Sequence, residues 1–161
     1  MSEIDLDRVW EIMEDIAVCM VTTHAGGRMR SRPMHAIPDQ NAGCLWFITD
    51  QRGAKEDEIR AAPDVCLAFA DTGSNTYLSM TGRAEMLRDV AKAEELWGTE
   101  AQAWWPNGPA DPDVRVLRVI PDWAEYWDTR GNSITVALKL AAARLSGSPP
   151  DLGDNSKVRL R

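Results

Sequence analysis

The chain has 161 residues, 44% of them hydrophobic and 27% charged, with a formal net charge of −7 and a sequence pI near 4.8. This length and mixture are typical of one globular domain with a real hydrophobic core. The acidic balance argues against nucleic acid and against anionic membrane surfaces as partners, because both are bound mainly through clustered lysine and arginine.

The N-terminal stretch MSEIDLDRVWEIMEDI is acidic, unlike the basic start of a signal peptide. No apolar run reaches the roughly 20 residues that cross a bilayer. The three cysteines, Cys19, Cys44 and Cys66, lie far apart in apolar segments. They are typical of buried thiols in a reducing compartment, so we expect a cytoplasmic protein without a disulfide or a metal site.

Hydrophobic periodicity predicts the first half of the fold. A helical stripe of apolar residues in EIDLDRVWEIMEDI predicts a first helix, with Ser2 or Asp5 as candidate cap. The next segments, AVCMVTTH and MRSRPMHAIP, predict two strands joined by an AGGR turn, which together form a hairpin. CLWFITD predicts a third strand that is buried on both faces. QRGAKEDEIRAAP predicts a short helix that ends at Pro63.

The second half is predicted in the same way. DVCLAFAD and TYLSMTGRAEML predict strands, the latter with a bulge at Gly82. DVAKAEELWGTEAQAWW predicts a second helix, and DVRVLRVIPDWAEYWDT predicts two strands around Pro121. The order predicts an α+β, mainly β fold, an antiparallel barrel of about six strands with flanking short helices. We place this domain at residues 1–145 and expect 146–161 to be a flexible C-terminal tail.

The sequence contains no hydrolase triad, no zinc-ligand spacing and no phosphate loop, so no catalytic residue is identified. Only two histidines are present. His24 falls at a predicted turn and is expected to be solvated. His35 shares a strand face with Pro33 and Ile37, so a hydrogen-bonded histidine at the barrel edge is expected there.

The remaining candidates for ligand binding are cationic side chains. Arg30 and Arg32 alternate along one strand and therefore share a face, while Arg52 and Lys55 follow the third strand where the chain enters a helix. Arginine and lysine brought together in this way bind phosphate. The alternative is that they are solvated charges on an exposed strand.

The seven tryptophans are a second unusual feature. Trp10, Trp46 and Trp97 are expected in the core. Trp104 and Trp105 precede a Pro/Gly loop and are candidates for a substrate pocket or a subunit contact, because aromatic side chains are enriched in both.

These segments in their order resemble the general stress protein branch of the pyridoxamine 5'-phosphate oxidase-like flavoproteins. The resemblance rests on GGRMRSRPM, LWFITD, Lys55 followed by a helix and AAPDVCLAFAD, YLSMTGRAEM, WWPNGPADPDVRVLRVIP and AEYWD. It implies a split β-barrel that forms a homodimer and binds FMN at the subunit interface, with NAD(P)H as a candidate partner.

The resemblance also implies site residues. The strand matching SRPMH lies along the flavin, with Arg32 near the phosphate and Lys55 as the phosphate-binding lysine. Tyr77 matches a residue that reaches the cofactor from the other subunit, and Trp127 an aromatic at the ring's edge. The candidate cofactor contacts are Arg30, Ser31, Arg32, Pro33, Met34, His35, Phe47, Ile48, Thr49, Arg52, Lys55, Tyr77 and Trp127.

Three functions follow from the resemblance. The first is an FMN-dependent oxidoreductase acting on a small molecule, in which the flavin itself transfers the electrons. The second is a non-catalytic flavin-binding stress protein, a cofactor reservoir or redox sensor. The third is a barrel that holds a deazaflavin or haem, which the lack of a broad basic groove or a dedicated axial ligand disfavours. Vitamin B6 oxidation is disfavoured because the segment after Trp127 lacks the histidine that grips pyridoxal phosphate, and Arg130 stands there alone.

Overall fold

The fold is known from a computed structural model that describes residues 3–128, 133–149 and 154–160. Ser2, a candidate cap of the first helix, and Arg130, which stands without the histidine of a pyridoxal phosphate site, lie outside these ranges. The described elements are α1 (Glu3–Ile16), β1 (Val18–Ala25), β2 (Arg28–His35), β3 (Ile37–Asp39), β4 (Cys44–Asp50), α2 (Lys55–Ala61), β5 (Asp64–Asp71), β6 (Thr76–Leu87), α3 (Val90–Leu96), α4 (Thr99–Trp104), β7 (Val114–Asp128), α5 (Ser133–Ser146) and β8 (Asp154–Arg159).

The strands form one antiparallel sheet in the order β2-β1-β5-β6-β7-β4-β3, and β8 adds to the second half of β7. The edge strands β2 and β3 are separated in the chain by Ala36 alone, so the sheet curves until its two edges approach each other. No hydrogen-bonded ladder joins those edges within the described ranges, and the barrel stays open. The predicted antiparallel split barrel with short helices is confirmed, with eight strands instead of about six.

A bulge and a proline face each other in the two longest strands. The register of β6 against β7 shifts between Thr81 and Gly82, as predicted, and Gly82 pairs with Pro121. The expectation of two strands around Pro121 is wrong, because β7 continues through it over 15 residues. The proline is tolerated at this point because the ladder is already interrupted by the bulge.

Two further expectations differ from the structure. The second predicted helix is divided into α3 and α4 at Gly98, whose extended backbone (φ −135°, ψ 179°) caps α4. Glycine is a poor helix former, which accounts for the break. The tail beyond Ser146 contains strand β8, where Val158 is fully buried between polar neighbours.

The core lies between α1 and the inner face of the sheet. Val9, Ile12 and Met13 of α1 pack there against alternate strand residues. Trp10 and Trp46 are buried as expected, while Trp97 packs at the edge of a smaller cluster around Trp46. Among the described helices, none has the length and apolar character needed to span a membrane.

The cysteines are free thiols in this fold. Cys19 and Cys44 are buried, and Cys66 is partly exposed. Burial raises the pKa of the Cys19 thiol to about 12. At neutral pH this thiol stays protonated and behaves as a small apolar side chain.

Candidate functional site

A cavity of about 450 Å³ opens in the split of the barrel, between edge strand β2, strand β4 and helix α4. This volume lies within the roughly 300–1,000 Å³ of small-molecule sites. The lining residues are Val18, Arg32, Pro33, Met34, His35, Ile37, Ile48, Thr49, Lys55, Leu96, Gly98, Glu100, Ala101, Trp104 and Trp105. The cavity thus gathers residues that are distant in sequence.

Two cations line one part of the cavity. Arg32, 22% exposed at its side chain, comes from β2, and Lys55 is the first residue of α2. Lys55 Nζ donates a hydrogen bond to Thr49 Oγ1 at the end of β4. Burial lowers the pKa of the Lys55 ammonium, as does the charge of Arg32, while Asp50 and Glu58 oppose this. Partly desolvated cations attract an anion more strongly than exposed ones.

A buried carboxylate lies behind these cations. Glu58 on α2 accepts from Arg30 Nη1 at Oε1 (2.9 Å) and from Arg32 Nη2 at Oε2 (3.0 Å). Buried Thr23 donates to Glu58 Oε2 at 2.7 Å and accepts from Arg32 Nη1 at 3.0 Å. Burial alone would raise the pKa of Glu58, but the hydrogen bonds from Thr23 and Arg32 and the two arginine charges hold that pKa below its usual range.

Sequence reasoning missed Glu58 and Thr23, although a signal for each was present. Glu58 follows Lys55 by three residues on α2, so the two side chains share a helix face. Thr23 alternates with Cys19 and Val21 on the inward face of β1. The shared face that the sequence predicts for Arg30 and Arg32 is confirmed, because both guanidinium groups reach the same carboxylate.

Apolar side chains form another part of the cavity lining. Val18, Pro33, Met34, Ile37 and Ile48 line it. Pro33 lies on edge strand β2, as its missing backbone donor requires. Successive residues on β4 point to opposite faces, and the residue that precedes Ile48 is buried in the core.

Aromatic and titratable side chains line the part formed by α4. Trp104 is 71% exposed, and Trp105 is half-buried with its Nε1 donating to Asp50 Oδ2 at 3.4 Å. His35 Nδ1 lies 3.0 Å from Glu100 Oε2. His35, the histidine expected at the barrel edge, is therefore paired with a carboxylate on α4.

Six candidate contacts do not line the cavity. Phe47 is fully buried in the core. Ser31 hydrogen-bonds Thr22 (2.5 Å), and the exposed Arg52 pairs with Asp50 (3.4 Å). Arg30 donates a hydrogen bond to the buried Glu58 carboxylate and does not line the cavity itself. The remaining two are Tyr77 and Trp127.

Tyr77 and Trp127 lie on the outer face of the sheet. They are paired in register across β6 and β7 and are 36% and 39% exposed. We define the outer face by the row Pro33–Met20–Ala68–Ser79 across four neighbouring strands, together with Val18, Tyr77 and Trp127. Val18 and Pro33 also line the cavity, so the outer face and the cavity are continuous.

The chain is similar to a known protein family and to a protein of Neurospora crassa. The family model described as "Pyridoxamine 5'-phosphate oxidase like" matches residues 5–151. Protein bli-3 of Neurospora crassa is 24% identical over 141 residues, 81% of this chain and 68% of that protein.

The chain also shares its fold with solved structures. A candidate general stress protein 26 from Jannaschia sp. CCS1 has a TM-score of 0.78 and 29% identity, covering 97% of this chain and 99% of that one. A general stress FMN/FAD binding protein from Xanthomonas citri has a TM-score of 0.72 and 24% identity, covering 81% and 93%. The resemblance read from the sequence motifs is confirmed.

Proposed function

The chain belongs to the pyridoxamine 5'-phosphate oxidase-like family, and from that premise we propose that it binds FMN in the cavity between β2, β4 and α4. The observation that carries the proposal is the cation pair Arg32 and Lys55 in a largely apolar cavity. The FMN/FAD-binding protein of Xanthomonas citri with the same fold supports it.

The residues of the cavity fit the parts of FMN. A phosphate monoester requires charge-assisted donors, which Arg32 and Lys55 supply, and the Thr49 hydroxyl lies beside them. A flat ring requires apolar walls, which Pro33 and Ile48 supply. Bound FMN would contribute hydride and electron transfer, and the protein's part is to bind, orient and shield it.

We also propose that a second copy of the chain covers the outer face. Val18 and Pro33 belong both to that face and to the cavity, so a copy packed there closes the cavity against water. The exposed Tyr77 and Trp127 then come from the partner toward the cofactor. This accounts for two candidate contacts that lie outside the cavity of their own chain.

The reaction proposed is the oxidation or reduction of a small molecule, with NAD(P)H as the candidate electron donor. The part of the cavity lined by Trp104, Trp105 and the His35–Glu100 pair is the proposed substrate side. The second candidate, a flavin-binding stress protein without turnover, uses the same cavity. A cytoplasmic location stays a prediction.

Two measurements test the proposal. Purified protein mixed with FMN should show a saturable change in flavin absorbance and fluorescence; no change at any FMN concentration would refute binding. Anaerobic bleaching by NADH or NADPH, with repeated turnover when an acceptor is added, supports the oxidoreductase. Stable flavin binding without bleaching by either nucleotide supports the reservoir or sensor.

A further inference from the structure

Glu58 is a charged residue that sits in the interior beside the cavity without lining it. Its side chain is 6% exposed, and both oxygens accept hydrogen bonds. Buried carboxylates are retained only where they are paired and hydrogen-bonded. The partners of Glu58 are Thr23 and two of the three arginines of β2, Arg30 and Arg32. Glu58 therefore contacts one of the two cations that line the cavity.

The contacts fix the orientation of Arg32. Its Nη1 donates to Thr23 Oγ1 and its Nη2 to Glu58 Oε2, both at 3.0 Å. Thr23 donates in turn to Glu58 Oε2 at 2.7 Å, so the three side chains close a triangle. A guanidinium is a rigid planar fork with five N–H donors, so holding both terminal nitrogens sets its plane and leaves the other donors for a ligand.

We propose that Glu58 and Thr23 are positioning residues that hold Arg32 in the orientation in which it binds the phosphate of FMN. The inference rests on the proposed function. The inference predicts that removing the Glu58 carboxylate weakens FMN binding. Simple electrostatics predicts the opposite, because removing a carboxylate near a phosphate strengthens binding.

The main test compares FMN with riboflavin, which has the same ring and no phosphate. Glu58→Gln should weaken FMN binding about tenfold and change riboflavin binding by less than about twofold. Glu56→Gln is the matched control. It removes the same charge from the same helix, where Glu56 pairs with Arg60 and Arg115 instead of β2. FMN affinity should be nearly unchanged in this control.

A second variant separates position from charge. Thr23→Val removes the hydroxyl that binds both Arg32 and Glu58 and alters no charge. It should weaken FMN binding by about threefold or more, again without a matching loss for riboflavin. Far-UV circular dichroism checks the fold of each variant, and Thr23→Val decides the question if Glu58→Gln does not fold.

Several outcomes would overturn the inference. Tighter FMN binding in Glu58→Gln would show that charge, and not position, governs the site, and unchanged FMN binding would show that Glu58 does not position Arg32. Equal losses for FMN and riboflavin would show a general structural role. A wild-type chain that binds neither FMN nor inorganic phosphate would refute the proposed function as well. If the wild type binds FMN and the variants have the same FMN affinity, this inference alone is refuted.

Discussion

Lys55 Nζ, on the first residue of α2, donates a hydrogen bond to Oγ1 of Thr49 near the end of β4. This contact joins the helix to the strand that precedes it and holds the ammonium at the cavity. Arg32 arrives at the same cavity from edge strand β2. Two cations from separate elements therefore converge where the barrel is split.

Removing both cations should abolish most of the affinity for the phosphate. We expect Arg32→Ala combined with Lys55→Ala to weaken FMN binding at least about tenfold, or about 1.4 kcal/mol, because two charge-assisted contacts are lost. Isothermal titration calorimetry measures the change. Arg28→Ala, at the exposed start of β2, is the control and should bind FMN normally. Unchanged affinity in the double variant would place the phosphate elsewhere.

The affinity for FMN should depend on pH through Lys55. Its pKa lies below the ordinary value of 10.5, chiefly because of burial. Only the protonated ammonium binds a phosphate strongly, so the affinity should fall as the pH rises through this lowered pKa. Riboflavin titrated over the same pH range supplies the control, since it lacks the phosphate. Identical pH profiles for the two flavins would contradict the assignment.

The outer face should govern both assembly and cofactor binding. Wild-type protein should have twice the chain mass of 17.9 kDa in solution. Ala68→Arg puts a charge in the middle of the outer face, beside Met20 and Ser79, and should give monomers that bind FMN about tenfold more weakly. Ala61→Arg, exposed at the end of α2, should stay dimeric. Light scattering measures the mass, and monomeric wild type that binds FMN tightly would contradict the proposed assembly.

The bulge at Gly82 should be intolerant of any side chain. A Cβ there would lie 2.6 Å from the Ile120 carbonyl oxygen and 2.9 Å from Pro121 Cα, both backbone atoms that cannot move aside easily. We expect Gly82→Ala to lower the free energy of unfolding by about 1–3 kcal/mol. Gly98→Ala, where a Cβ meets no atom within 4 Å, should cost less. Chemical denaturation measures both, and equal effects would contradict the packing argument.

Much of the fold was predictable because it follows local rules. The pair Gly26 and Gly27, with φ of 55° and 81°, makes the predicted β1–β2 turn, where positive φ suits glycine. Strand alternation placed Arg30 and Arg32 on one face, and an isolated strand glycine indicated the bulge at Gly82.

The remaining features depend on partners that are distant in sequence. In KEDEIRA, the spacing from Lys55 indicates which helix face Glu58 lies on, but the contacts with β1 and β2 are what show that it is buried. In strand β8, Val158 is fully buried between the exposed Lys157 and Arg159, so its pairing with β7 leaves little hydrophobic pattern to detect. Tertiary contacts determine whether such a strand forms or such a residue is buried, and local propensity does not.

A crystal structure of the protein with FMN tests the central claim most directly. We expect the phosphate within hydrogen-bond distance of Arg32 and Lys55, and the ring beside Pro33 and Ile48. The partner's Tyr77 should approach the same flavin. FMN bound with its phosphate away from Arg32 and Lys55, or outside the cavity between β2, β4 and α4, would contradict the account.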